Sequence, residues 1–400
     1  MQRERKGQSP FYPGQPVPVE LFVGRKGEVA RLMRAADQVA NGKPQAVFVT
    51  GEYGIGKSSL AKFVRVLSEQ DPGLLGFHVM LGEADTLEDA AVRTVQTVAE
   101  SHATRPSVGD SIRDFLAKYI GEQEFFGVRI RLDQLRRDAP EISRGYLPFL
   151  RSLYRRACRE YRGLLLVLDE INGLAGKDFF ARFLKNLVDE NALSDKPLPL
   201  LLIVCGTEER LRDIITRHRP VERIFEIANI KTMTEEESKE FFTRAFDRVD
   251  MSIEPEALRL LTHYSGGLPK LMHLVGDAAF WIAEGDTVTK DVAVNAVLAA
   301  AEDVGRKFVE QQVYRAIRSE AYRNILRKLA RHDFDLSFKK SEIEKGLTQD
   351  ERRKLDNFLQ RMKRLGVLVS GEERGEYVFR DRLTRLYMRM EAMSEARRLT

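Results

Sequence analysis

The chain has 400 residues, of which 43% are hydrophobic and 31% charged, the balance of a soluble globular protein with about two or three domains. The net charge of +5 is uneven: positions 321 to 400 carry 20 Lys and Arg against 13 Asp and Glu, which points to an acidic partner at that end. The basic start lacks an apolar stretch behind it, apolar runs such as 198–205 are far short of a membrane span, and Cys158 and Cys205 read as core thiols, so a signal peptide, a membrane anchor and a disulfide framework are not expected and a reducing cytoplasm is.

Residues 1–19 form a polar, proline-bearing arm, mobile or draped. A helical pattern with Glu28, Leu32 and Ala36 follows. The apolar run Ala46-Val47-Phe48-Val49-Thr50 predicts a strand, and Leu60 to Leu67 predicts a helix. Between them lie Gly51, Glu52, Tyr53, Gly54, Ile55, Gly56, Lys57, Ser58 and Ser59. Strand, glycine loop and helix in this order make a phosphate-binding loop. The glycines let backbone N–H groups converge on phosphate oxygens, and the helix presents its positive end to the same anion. Lys57 reaches the outer phosphates, and Ser58 offers a hydroxyl to Mg²⁺.

Leu75 to Met80 reads as a second strand, and 85–162 as a long, mostly helical insertion with amphipathic stretches at 86–99 and 146–161 and a short alternating strand at 127–132. Leu164 to Leu168 is a continuous apolar run, as a strand buried on both faces requires, and it ends in Asp169 and Glu170. Open α/β sheets bind ligands at that end of their strands. Asp169 is placed to hold Mg²⁺, and Glu170 to activate an attacking water. Leu200 to Gly206 repeats the design and ends in Thr207. That residue fits two roles, a hydrogen bond to the γ-phosphate or lytic water and an N-cap for the following helix.

From Thr232 the pattern becomes helical, with helices expected over 236–247, 255–264 and 270–284. The turn Ser265-Gly266-Gly267-Leu268-Pro269 places Lys270 at a helix start, where the dipole does not favour a cation and a phosphate-facing role would explain it. The tail has the pattern of a winged helix: helices at 321–331, 341–345 and 350–365, then strands at 367–369 and 376–379. Arg352, Arg353, Lys354, Arg361, Lys363 and Arg364 on its third helix suit the phosphates of double-stranded DNA. Glu372 and Glu373 in the turn between the strands do not suit a minor groove.

The pieces FVGR, GEYGIGKSS, LLLVLDE, LLLIVCGT, HRPVERIFEI and YSGGLPKLMHL, spanning about 21–284, resemble the ATPases of the AAA+ and STAND branch, including archaeal-type and origin-recognition-like members. The resemblance implies that Val23, Gly24 and Arg25 lie against the adenine, that Arg223 or Arg219 reaches a neighbouring subunit's nucleotide, and that Lys270 stands where many members have a sensor arginine. The family's Asn is replaced by Thr207 here.

The expectation is thus an α/β protein: a parallel P-loop sheet with helices at 20–232, a helical lid at 233–310 and a winged helix at 311–400. It would bind and hydrolyse ATP with Mg²⁺ to drive a switch or assembly, as a homo-oligomer or with a protein partner. The two functional classes are a DNA-associated ATPase and a STAND-like signalling switch whose tail meets a protein.

Overall fold

The computed structural model describes residues 7–15, 17–19, 22–101, 108–112, 115–116, 145–332 and 336–399, with side chains to 394. The expected strand at 127–132 lies outside these residues. The chain divides into two compact units, one formed by Pro16–Lys231 and the other by Met1–Gln15 with Thr232–Thr400.

The first unit is built on a five-stranded sheet of order β2-β3-β4-β1-β5, with β1 at Gln45–Thr50, β2 at Leu74–Met80, β3 at Gly163–Asp169, β4 at Leu200–Gly206 and β5 at Glu226–Asn229. Every pairing is parallel. Parallel strands need crossover helices, which cover both faces, so β3 and β4 are buried along their whole length. Their continuous runs of Leu, Ile and Val are the sequence counterpart of that double burial. Within the stretch expected as an insertion, helices Leu87–Glu100 and Tyr146–Ala157 feed Val95, Val98, Phe149 and Leu153 into the same core as Phe77 and Leu166. Their described parts extend the core of the unit.

In the second unit, helices Glu235–Asp247, Pro255–Ser265, Pro269–Ile282 and Lys290–Val304 pack together, and a π-helical stretch, Gly305–Tyr314, continues the last of them. The Gly266–Gly267 turn has a packing reason: Gly267 has φ 69°, and a Cβ there would meet the Met233 carbonyl at 2.2 Å. The N-terminal arm is anchored here. Phe11 is buried with its ring 5.0 Å from that of Phe246, and the Tyr12 N–H donates to His273 Nδ1 at 3.1 Å. Helices Glu320–Arg331, Lys340–Glu344 and Gln349–Arg364 follow, with an antiparallel three-stranded sheet and a last helix, Arg382–Leu399.

Several elements differ from expectation. The helix Lys290–Val304, the strand Ser337–Lys339 and the last helix were not anticipated. The buried side of Lys290–Val304 is only alanine and valine, which weakens its apolar stripe. Cys205 is a core thiol, as expected, whereas Cys158 is exposed, because it caps the helix Tyr146–Ala157 beyond its apolar face.

Candidate active site

The chain crosses from β1 into the helix Lys57–Gln70 through the glycine loop, at the carboxyl end of the sheet. Gly54 and Gly56 have φ of 79° and 94°, a backbone that L side chains rarely adopt, so the loop needs glycine to close. The Lys57 ammonium donates to the carbonyls of Gly51 at 3.0 Å and Glu52 at 2.7 Å. Burial pulls its pKa below the usual lysine value, against the raising influence of Cys205, Asp169, Glu52 and Glu170. Ile55 is buried under the loop, while Glu52 and Tyr53 at its tip are exposed.

Because β4 lies between β1 and β3, the loop and the paired acids stand about 10 Å apart across the sheet, two strand spacings. The helix start narrows that gap: the Ser58 hydroxyl is near enough to Asp169 to favour its ionised carboxylate. Asp169 is 2% exposed. Burial alone would raise its pKa, but His78, the Ser58 hydroxyl and the Glu170 N–H outweigh it and hold the carboxyl below its ordinary value. The Glu170 N–H reaches Oδ1 at 2.8 Å, and His78 Nε2 lies 2.9 Å from Oδ2.

Glu170 adopts φ 56° and ψ 49°, the left-handed region, at a cost on the order of 1 kcal/mol for a residue with a Cβ. The turn swings its exposed side chain towards Gly82, where an added Cβ would meet the carboxylate at 2.6 Å. Thr207 follows β4 directly, and its hydroxyl accepts the Arg210 N–H at 3.3 Å. The N-cap role is therefore filled, and the hydroxyl hydrogen remains as a donor at the same end of the sheet.

The segment before the first helix lies along the loop. The Val17 N–H donates to the Ser59 hydroxyl, and Phe22 stacks on Phe63 at 4.4 Å. Val23 and Gly24 are half-buried beside it. Arg25 takes a form the sequence did not suggest: its guanidinium is 2% exposed and donates to the carbonyls of Ile55 at 2.7 Å and Lys231 at 2.8 Å. It braces the underside of the phosphate loop.

Arg219 and Arg223 are exposed on a 3₁₀ turn, Arg219–Arg223, that precedes β5. Arg223 lines a groove with Gln45 and Leu200, the first residues of β1 and β4, so it stands at the end of the sheet opposite the glycine loop. Lys270 is exposed in the first turn of the helix Pro269–Ile282, in the other unit.

Among the described residues, no three His, Cys, Asp or Glu side chains converge as a metal cluster. The Ser58 hydroxyl and the ionised Asp169 are hard oxygen donors of the kind that hold Mg²⁺ together with water and phosphate.

Residues 21–203 match the AAA ATPase domain family. This stretch is similar to an AAA ATPase domain. The ATPase fold extends to solved structures: the ORC2 protein of Aeropyrum pernix at TM-score 0.60 and 14% identity, with 98% of this chain and 97% of that one covered, and a Walker-type ATPase of Pyrococcus abyssi at TM-score 0.58 and 18% identity, with 92% and 96% covered. No curated protein matches the chain in sequence. ATP hydrolysis is the activity of such a domain, and the glycine loop and the paired acids lie at the pole where its parallel sheet binds ligands.

His78 and Gly82 escaped the sequence reading. A histidine inside the apolar run Leu74–Met80 was the available signal.

Proposed function

We propose that the protein is a Mg²⁺-dependent ATPase that uses its nucleotide state to switch conformation or assembly, and that its C-terminal region contacts DNA. What supports the first part is the convergence of the glycine loop and the acids at one end of the parallel sheet, where Lys57 lies in the field of Asp169 and Glu170. Loop N–H groups and Lys57 bind the phosphates, and the segment at Val23 and Gly24 lies against the adenine. Ser58 and Asp169 hold the metal, which supplies charge neutralisation on the phosphate oxygens. Glu170 takes the proton of the attacking water, and Thr207 orients that water or the γ-phosphate. The A. pernix ORC2 structure contains ADPNP and ADP, in keeping with this reading.

Arg223 or Arg219 would serve a neighbouring copy's nucleotide, since Arg223 lies at the far end of its own sheet.

We read residues 320–379 as a winged helix, with the helix Gln349–Arg364 as its recognition element. Arg353, Arg361 and Arg364 fall on one stripe, opposite the buried Leu355, Phe358 and Met362. A specific observation favours the second reading, a protein partner at this domain: Lys354, Lys340 and Lys339 are paired with Asp350, Asp356 and Glu373. A gel shift with duplex DNA at two salt concentrations, with and without ATP, separates the two. Salt-sensitive binding supports DNA contact, and no binding at low salt supports the protein partner.

A further inference from the structure

We propose that His78 is a positioning residue that sets the carboxylate of Asp169 for the divalent cation, an inference that rests on the metal reading above. His78 is the one titratable side chain of β2, and β2 is the sheet edge next to β3. The parallel register places His78 beside Val167, two residues before Asp169, so both side chains lie on one face. The ring closes that offset with Nε2 2.9 Å from Oδ2. An ionised carboxylate only accepts, so Nε2 carries the hydrogen and His78 donates.

Each oxygen of Asp169 then has one donor that fixes the rotamer, the Glu170 N–H on Oδ1 and His78 on Oδ2. Of the two, His78 comes from an element distant in sequence, the edge strand. Loss of His78 leaves Oδ2 without its fixed donor, and the carboxylate gains rotational freedom where the cation needs a fixed direction. His78 is not a catalytic residue in this account, because it acts through Asp169.

The test uses the full chain with His78→Leu and His78→Gln, the latter keeping a donor near the place of Nε2. Two quantities are read: the free Mg²⁺ that gives half-maximal ATP hydrolysis, and Mn²⁺ affinity by electron paramagnetic resonance with a non-hydrolysable ATP analogue. The expected result is a roughly tenfold or larger rise in both half-points for His78→Leu, mostly recovered in His78→Gln. A wild-type enzyme that depends on Mg²⁺, with both half-points unmoved in His78→Leu, overturns the role of His78 alone. Equal impairment of the two variants also overturns it, since that marks a packing role. Metal-independent hydrolysis by the wild type overturns the metal reading itself.

Discussion

Gly82 leaves the space that the Glu170 carboxylate occupies, since a Cβ at position 82 would stand 2.6 Å from one of its oxygens. The atom it would strike is the far end of a flexible side chain, so Gly82→Ala should fold and simply push the carboxylate aside. The expected outcome is a fall in kcat of about ten- to a hundredfold, with ATP affinity little changed. Steady-state kinetics beside equilibrium nucleotide binding check this. A kcat equal to wild type would show that Glu170 is not held by this contact.

Arg25 joins the phosphate loop to the chain beyond β5. Arg25→Ala strands the buried carbonyl of Ile55 and takes the donor from the part-buried carbonyl of Lys231. The expected loss is about 2–4 kcal/mol of stability, with weaker ATP binding because the loop loses its brace. Arg25→Lys should not restore it, since one ammonium does not reproduce the planar fork. Urea denaturation with and without nucleotide measures both effects.

Phe11 and Gly276 form a second fitted pair, because a Cβ on Gly276 would lie 2.3 Å from the Phe11 ring. Phe11→Ala should cost about 3–5 kcal/mol in the second unit. Gly276→Ala should displace the ring, and its effect should shrink in a Phe11→Ala background. A double-mutant cycle in chemical unfolding reads that coupling.

His273 gives a pH signature. Burial lowers its pKa from 6.5 to about 4, and its Nδ1 accepts the Tyr12 N–H. The folded state therefore favours the neutral ring. Its contribution is full above pH 6.5 and is lost as the pH falls from there through about 4. The loss amounts to about 3 kcal/mol, to be seen as a drop in unfolding free energy between pH 7.5 and 4. His273→Gln, which keeps an acceptor, should flatten that part of the curve.

Sequence and structure agree where one local pattern determines the element. The runs before Asp169 and Thr207 have the composition a doubly covered strand requires, and the glycine loop combines a backbone requirement with Lys57 and Ser58. The bond between His78 and Asp169 depends on the register of β2 against β3, which no local pattern encodes. Arg25 and Lys231 meet across 206 positions, and the same arginine in a sequence window looks like a ligand contact. Gly82 has no side chain to announce it, and its importance appears only once Glu170 turns towards it.

The central claim is that a nucleotide's phosphates bind the loop that Lys57 closes, facing Asp169 and Glu170. The most direct test is calorimetric titration of ATP, at millimolar Mg²⁺, into the wild type and Lys57→Ala. The account predicts saturable one-site binding to the wild type and an affinity lower by about a hundredfold in the variant, the loss of charged hydrogen bonds worth about 3 kcal/mol. Equal affinity in the two proteins, or no binding to either, would contradict it.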